Sequence, residues 1–132
     1  MTKFLNIVFL LVSIFFMSCE GVTEIELYIQ NTTESTIQVD GTFNGDYYEA
    51  GTPFNFQIEK GKKRKLHFGE GRGGSATKAE TPFSLIETLI IKDNSGNQIP
   101  IDHLSDSNIE YNIEEITEFP SHYRHTYNLI VK

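Results

Sequence analysis

From Glu24 the chain alternates. Ile25, Leu27 and Ile29 fall on one face and Glu24, Glu26, Tyr28 and Gln30 on the other, the period-two pattern of a half-buried strand. A turn cluster at residues 31–35 follows, and Ile37 and Val39 resume the alternation. Asn44-Gly45, between Phe43 and Tyr47, predicts a two-residue type I′ hairpin, because both residues accept positive φ. Pro53 opens a strand with Phe54, Phe56 and Ile58 on one side; Lys60-Gly61 turns the chain, and Leu66 and Phe68 answer on the return. Residues 69–82 read as one long Gly-rich loop, near the length at which loops are usually functional or disordered.

Beyond Pro82 the stretch from Phe83 to Ile91 is dense enough in apolar residues for a central strand. A turn at 93–97 returns the chain through Ile99 and Ile101, and residues 103–108 form another loop. Ile109, Tyr111 and Ile113 begin a penultimate strand, Pro120 interrupts it, and Tyr123, His125, Tyr127, Leu129 and Val131 form the last. No eleven-residue window carries a 3.6-residue period. Seven to nine short strands at near-regular spacing predict an all-β, antiparallel β-sandwich, Ig-like in the loose sense, with a small β-barrel as the alternative. The expected core is Ile25, Leu27, Ile29, Ile37, Val39, Phe54, Phe56, Ile58, Leu66, Phe68, Leu89, Ile91, Tyr111, Tyr127 and Leu129.

The segment ahead of the first strand has another character. Lys3 supplies a positive start, Phe4 to Phe16 is apolar apart from Asn6 and Ser13, and Ser18 precedes Cys19, the sole cysteine. That order is the grammar of a secretory leader. The apolar run is shorter than the roughly 20 residues a bilayer-spanning helix needs. In Ser18-Cys19 at the end of this run, the chain resembles the bacterial lipoproteins with a signal-peptidase-II leader, in a relaxed form that has Phe16 and Met17 where the strict motif has Leu and a small residue. The resemblance implies cleavage before Cys19 and a membrane anchor of acyl chains on that residue. It also implies a cell-envelope location. Glu20, not Asp, follows the cysteine, which by the same resemblance points to the outer membrane rather than the inner. The expected organisation is a signal peptide over 1–18, a lipidated cysteine and short tether over 19–23, and a single domain over 24–132.

Charge narrows the partners. The chain of 132 residues carries −7, and loss of Lys3 with the leader leaves −8. An acidic exported domain is not built to bind nucleic acid as its main task. Against this field stands Lys60-Gly-Lys-Lys-Arg-Lys65, which holds five basic residues. Lys60, Lys62, Lys63, Arg64 and Lys65 are candidates for contact with anionic headgroups or an acidic partner; the alternative is a solvated hairpin whose lysines protect an edge strand from aggregation.

Catalytic signals are sparse. Gly69-Glu-Gly71-Arg-Gly73-Gly74 spells a dinucleotide fingerprint but no amphipathic helix opens on it, and without that helix the pyrophosphate has no N-terminus to bind. His67, His103, His122 and His125 lack the matched spacing of a metal site. His122 and His125, three apart, should project to opposite faces of a strand. The Asx-rich turns at 93–97 and 102–108 lack a calcium ligand layout and suit tight turns. No G-x-S-x-G elbow appears. The sequence therefore predicts no cofactor, no metal and no catalytic residues. The expected function is a membrane-anchored envelope lipoprotein whose non-enzymatic sandwich binds a protein or glycan partner. The alternative is a small envelope enzyme with a site near loop 69–82 that uses His67.

Overall fold

A computed structural model describes residues 20–132. Residues 1–19, with Cys19 and the expected signal peptide, lie outside the described residues. Eight strands make two four-stranded sheets that face each other and do not close into a barrel. The strands are β1 (Val22–Asn31), β2 (Ile37–Phe43), β3 (Pro53–Ile58), β4 (Lys63–Arg72), β5 (Ile86–Lys92), β6 (Gln98–Ile99), β7 (Ile109–Thr117) and β8 (His122–Val131). A single 3-10 turn, Asp106–Asn108, precedes β7. One sheet has the order β4-β1-β8-β7 and the other β3-β2-β5-β6.

The fold is thus the expected sandwich, with one departure from an all-antiparallel pairing. The first and last strands lie side by side and run parallel, from Val22↔His122 to Asn31↔Val131. No hairpin joins them, so local turn signals could not reveal the pair.

The core lies between the sheets. Leu27, Ile29, Tyr127 and Leu129 from one sheet meet Ile37, Val39, Ile58 and Ile91 from the other, all buried. Ile25, Phe54, Phe56, Leu66, Leu89 and Tyr111 pack half-buried around them. Phe68 was expected inside and is instead 47% exposed. The reason is a bulge in the β1–β4 ladder. Leu27 pairs with His67 but Tyr28 with Lys65, so Leu66 is the extra residue, and a one-residue slip turns every later side chain to the opposite face. His67 and Gly69 point inward as a result, and Phe68 outward.

Two expected turns also differ. Asn44-Gly45 is not a two-residue hairpin turn. The β2–β3 connection spans 44–52, closed by Phe43 N–H to the Thr52 carbonyl and Gly51 N–H to the Phe43 carbonyl, both 2.9 Å. The left-handed residue is Gly51, at φ 81°, while the Asn44 side chain accepts from Asp46 N–H at 2.9 Å. An Asx turn of this kind uses the asparagine without needing positive φ. Likewise residues 69–82 are not one loop. β4 continues through Arg72 because β1 supplies ladder partners as far as Val22, and the loop proper is 73–85.

That loop closes the sandwich at the Val22 end of β1. Ala79 N–H donates to Tyr127 Oη at 2.8 Å, Ser75 N–H donates to Thr23 Oγ1 at 2.9 Å, and His125 Nε2 donates to the Ser75 carbonyl at 2.5 Å. Since a carbonyl only accepts, His125 Nε2 carries a proton, and Nδ1 lies 3.1 Å from Tyr111 Oη. Phe83, Leu85 and Ile86 then enter the core as the chain crosses to the second sheet. The expected strand from Phe83 accordingly starts only at Ile86, after a turn over 82–85.

Candidate functional site

The bulge that turns Phe68 outward also builds a pocket. With His67 and Gly69 facing inward on β4, opposite Leu27 and Ile25, the loop 79–85 on one side and the loop 44–52 on the other enclose about 250 Å³. The walls are mostly apolar: Ile25, Leu27, Ala79, Pro82 and Leu85, with the ring of Tyr47 at the rim. This volume lies just below the roughly 300–1,000 Å³ usual for small-molecule sites, so it suits a small molecule or a single side group.

One imidazole supplies the inner polarity. His67 is 9% exposed. Its Nδ1 lies 2.8 Å from Tyr48 Oη, and its ring meets Tyr47 at 5.1 Å between centroids. Tyr48 in turn stacks on Phe43 at 4.1 Å, so the loop 44–52 is fixed to the core and the imidazole fixed to the loop. Burial holds the His67 pKa below the ordinary histidine value of 6.5, because a charged ring loses its hydration there. The ring is neutral at pH 7. In the tautomer in which Tyr48 Oη donates to Nδ1, Nε2 carries the ring proton and is a donor toward the pocket; in the other, Nδ1–H donates to Tyr48 Oη and Nε2 accepts.

Gly69 keeps the space before that nitrogen open. A Cβ at position 69 would stand 3.1 Å from His67 Nε2, and no backbone need explains the glycine, since its φ is not positive. No hydrogen bond joins Nε2 to any described residue; Nδ1 alone is engaged. Thr23, Thr81 and Ser84 place hydroxyls on the lining. Glu70 is the one carboxylate among the lining residues, and its pairing with Glu24 places it on the outer face of the sheet. His67 and the loop region are therefore brought together, whereas a carboxylate is not brought against the imidazole. The other glycines of the fingerprint-like run have local roles: Gly73 takes a positive φ of 85°, and Gly71 faces open space. Gly74 backs onto Ser121, whose carbonyl oxygen a Cβ would meet at 2.2 Å.

The basic residues Lys60, Lys62, Lys63, Arg64 and Lys65 are all exposed, and most of them have a partner. Lys60 pairs with Glu34. Lys65 pairs with Glu26 at 2.8 Å, an interaction that lowers the Glu26 pKa and raises that of Lys65. Lys63 stands 4.2 Å above the Tyr28 ring, and the Arg64 guanidinium 4.6 Å above Phe56. Lys62 has no ion pair or ring contact among the described residues. The tip sits at the Asn31 end of β1: Gly61 N–H donates to the Asn31 carbonyl at 3.0 Å, and Asn31 N–H to the Lys62 carbonyl at 2.9 Å. From Val22 to Asn31 is nine steps of roughly 3.3 Å, about 30 Å. The basic tip is that far from the Val22 end of β1.

The remaining histidines and Asx turns have local roles. His122 meets Glu24 at 2.9 Å, beside Arg124 at 2.6 Å from the same carboxylate. His125 is buried on the other face, as their spacing predicts. Asp93 accepts from the Asn97 side-chain amide at 3.1 Å and from Asn97 N–H and Ser95 N–H at 2.9 and 2.8 Å, and shapes the β5–β6 turn; those bonds, the Asn97 amide first, lower its pKa. Among the described residues, no three His, Cys, Asp or Glu side chains converge. Tyr47 and Tyr48 escaped the sequence reading. Adjacent tyrosines in an Asx-Gly turn were the available signal.

The chain matches no family model, no curated protein and no solved structure.

Proposed function

We propose that the protein is a lipid-anchored lipoprotein of the bacterial cell envelope, of the outer membrane rather than the inner, held by acyl chains on Cys19. Its sandwich is a non-enzymatic binding module that receives an apolar group of a partner in the His67 pocket. The observation that carries the binding role is the opening beside Gly69: an apolar cleft with one fixed, neutral imidazole whose Nε2 has no bond to a described residue. Binding sites have this composition, apolar walls with few placed polar groups. A sugar, rich in hydroxyls, would find few partners there. An amino-acid side chain next to a peptide carbonyl would fill the cleft and accept from Nε2, so a protein partner fits better than a glycan. A second reading, a small envelope enzyme, draws on the same imidazole as a general base in the tautomer whose Nδ1–H donates to Tyr48 Oη and whose Nε2 is unprotonated. It needs a second reacting group, for which Thr81 and Ser84 are the candidates on the lining, the Thr23 hydroxyl being held by Gly73 and Ser75.

Two experiments test the proposal. Cys19→Ala should abolish acyl labelling and release the protein from membranes into the soluble fraction; protein that still pellets after a carbonate wash would be anchored by other means. For the pocket, ring signals of 15N-histidine are followed while N-acetyl-leucine amide or N-acetylglucosamine is added. The amide should shift the His67 signals in the wild type and leave them in place in Gly69→Val. A response to the sugar alone would favour a glycan, and no response to either would remove the pocket from the binding role.

A further inference from the structure

We infer that the tip of the β7–β8 hairpin, Phe119 with Ile116, is a lipid-contacting wedge that seats the Val22 end of the domain on a zwitterionic bilayer surface. The inference rests on the Cys19 anchor proposed above.

Phe119 is 80% exposed, the most exposed of the large apolar side chains among the described residues. Ile116 and Ile113, on the strand that leads to it, are 36% and 37% exposed. Single apolar residues at a surface need no explanation. The position of these does. Val22 N–H donates to the Ser121 carbonyl at 2.8 Å, and Gly73 N–H donates to the Gly21 carbonyl at 2.6 Å. The backbones touch so closely that a Cβ on Gly21 would meet the Ser121 oxygen at 2.2 Å and Gly74 N at 2.5 Å. The start of the domain is thereby clasped between the hairpin tip and the 73–74 turn.

Only Glu20 separates this clasp from Cys19. Two residues span at most roughly 7 Å, less than the tether of four that the alternation predicts, because the ladder already takes in Val22 and Thr23. A lipid on Cys19 therefore brings the headgroups to the hairpin that carries Phe119, two positions from Ser121. However the domain leans on so short a leash, this end stays nearest the bilayer.

Charge decides which lipid contact is available. Around the tip stand Glu114, Glu115 and Glu118. The nearby cations are engaged: Arg72 with Glu20 at 3.8 Å, and Arg124 with Glu24 at 2.6 Å and Glu114 at 3.7 Å. An acidic rim gains nothing from anionic lipid, whereas an aromatic ring settles at the headgroup level of a neutral one. The contact is apolar and insensitive to salt. The basic tip at residues 60–63 points the other way, toward whatever approaches the domain from beyond the membrane.

The chain contains no tryptophan, so one introduced indole reports alone. Full-length lipidated Phe119→Trp and, separately, Lys62→Trp are reconstituted into zwitterionic phospholipid vesicles with and without brominated acyl chains. The Phe119→Trp emission should shift to the blue and be lost to brominated lipid, equally at low and high salt, while Lys62→Trp keeps its emission. Vesicles that carry the protein on flotation without quenching at position 119 would overturn the wedge and leave the anchor standing. Equal quenching at both positions, or quenching that salt removes, would also overturn it. Protein that fails to float with the vesicles would overturn anchor and wedge together.

Discussion

The side-chain amide of Asn31 donates to the carbonyl of Ile58 at 2.9 Å, joining the last residue of β1 in one sheet to the last residue of β3 in the other. The same nitrogen donates to the Ser35 carbonyl at 2.7 Å, and Oδ1 accepts from Thr33 N–H at 2.9 Å and Thr33 Oγ1 at 2.8 Å. Asn31 is wholly buried. A buried amide with all its bonds made is where a polar residue specifies structure, and where its loss costs most.

Asn31→Ala leaves several buried groups without partners. At about 1–3 kcal/mol for each group left unsatisfied, the domain should lose roughly 2–4 kcal/mol of unfolding free energy. Urea denaturation should show a lower midpoint with an unchanged slope. A midpoint within error of wild type would mean that water replaces the amide and that the sheets are not tied here.

Phe83 and Phe68 should separate sharply. Phe83 is fully buried, although it stands in a turn before β5. Phe83→Ala should cost about 3–5 kcal/mol. Phe68 lies outside the sandwich, and Phe68→Ala should stay within about 0.5 kcal/mol of wild type. The same denaturation series compares them. A costly Phe68→Ala would place the β4 bulge elsewhere.

His67 gives the stability curve one of its acid-side slopes. Burial lowers its folded pKa below the unfolded value of 6.5, so the unfolded chain binds more protons wherever the two differ. Stability is then complete above pH 6.5 and falls as the pH drops through 6.5 toward the lower folded value. His67→Gln should remove that slope, and a direct titration of the ring should report a depressed midpoint. An unchanged pH profile in the variant would show that the imidazole is solvated when folded.

Glu24 contributes at lower pH. The Arg124 guanidinium, hydrogen-bonded to its carboxylate, is the main cause holding its pKa below 4.5, against a smaller opposing effect of burial and with His122 adding to the lowering. A depressed carboxylate stabilises the folded state above its unfolded pKa, here 4.5, and the contribution disappears as the pH falls through the folded value. Glu24→Gln should flatten this acid limb in denaturation curves collected between pH 3 and 6 (roughly the range of carboxylate titration). If the limb persists, other carboxylates produce it.

Period-two alternation was enough to establish the all-β class, the sandwich and most of its core, because burial of one strand face is written locally, in residues two apart. Ile25 to Ile29 and Tyr127 to Leu129 are legible in that way. The bulge at Leu66 was not. It depends on which residues of β1 and β4 meet, a choice made across some forty positions of chain. That slip sent Phe68 to solvent and turned His67 and Gly69 inward, so the pocket exists only in the tertiary structure. The same is true of the parallel β1–β8 pair, which joins the two ends of the domain without a turn to announce it. It also sets Gly21 and Val22 against Ser121, two positions from Phe119, and leaves the basic hairpin at the far end of β1. Sequence alone determined which residues seek the interior and which carry charge; long-range register, set by packing the two sheets together, decided which of them came to face one another.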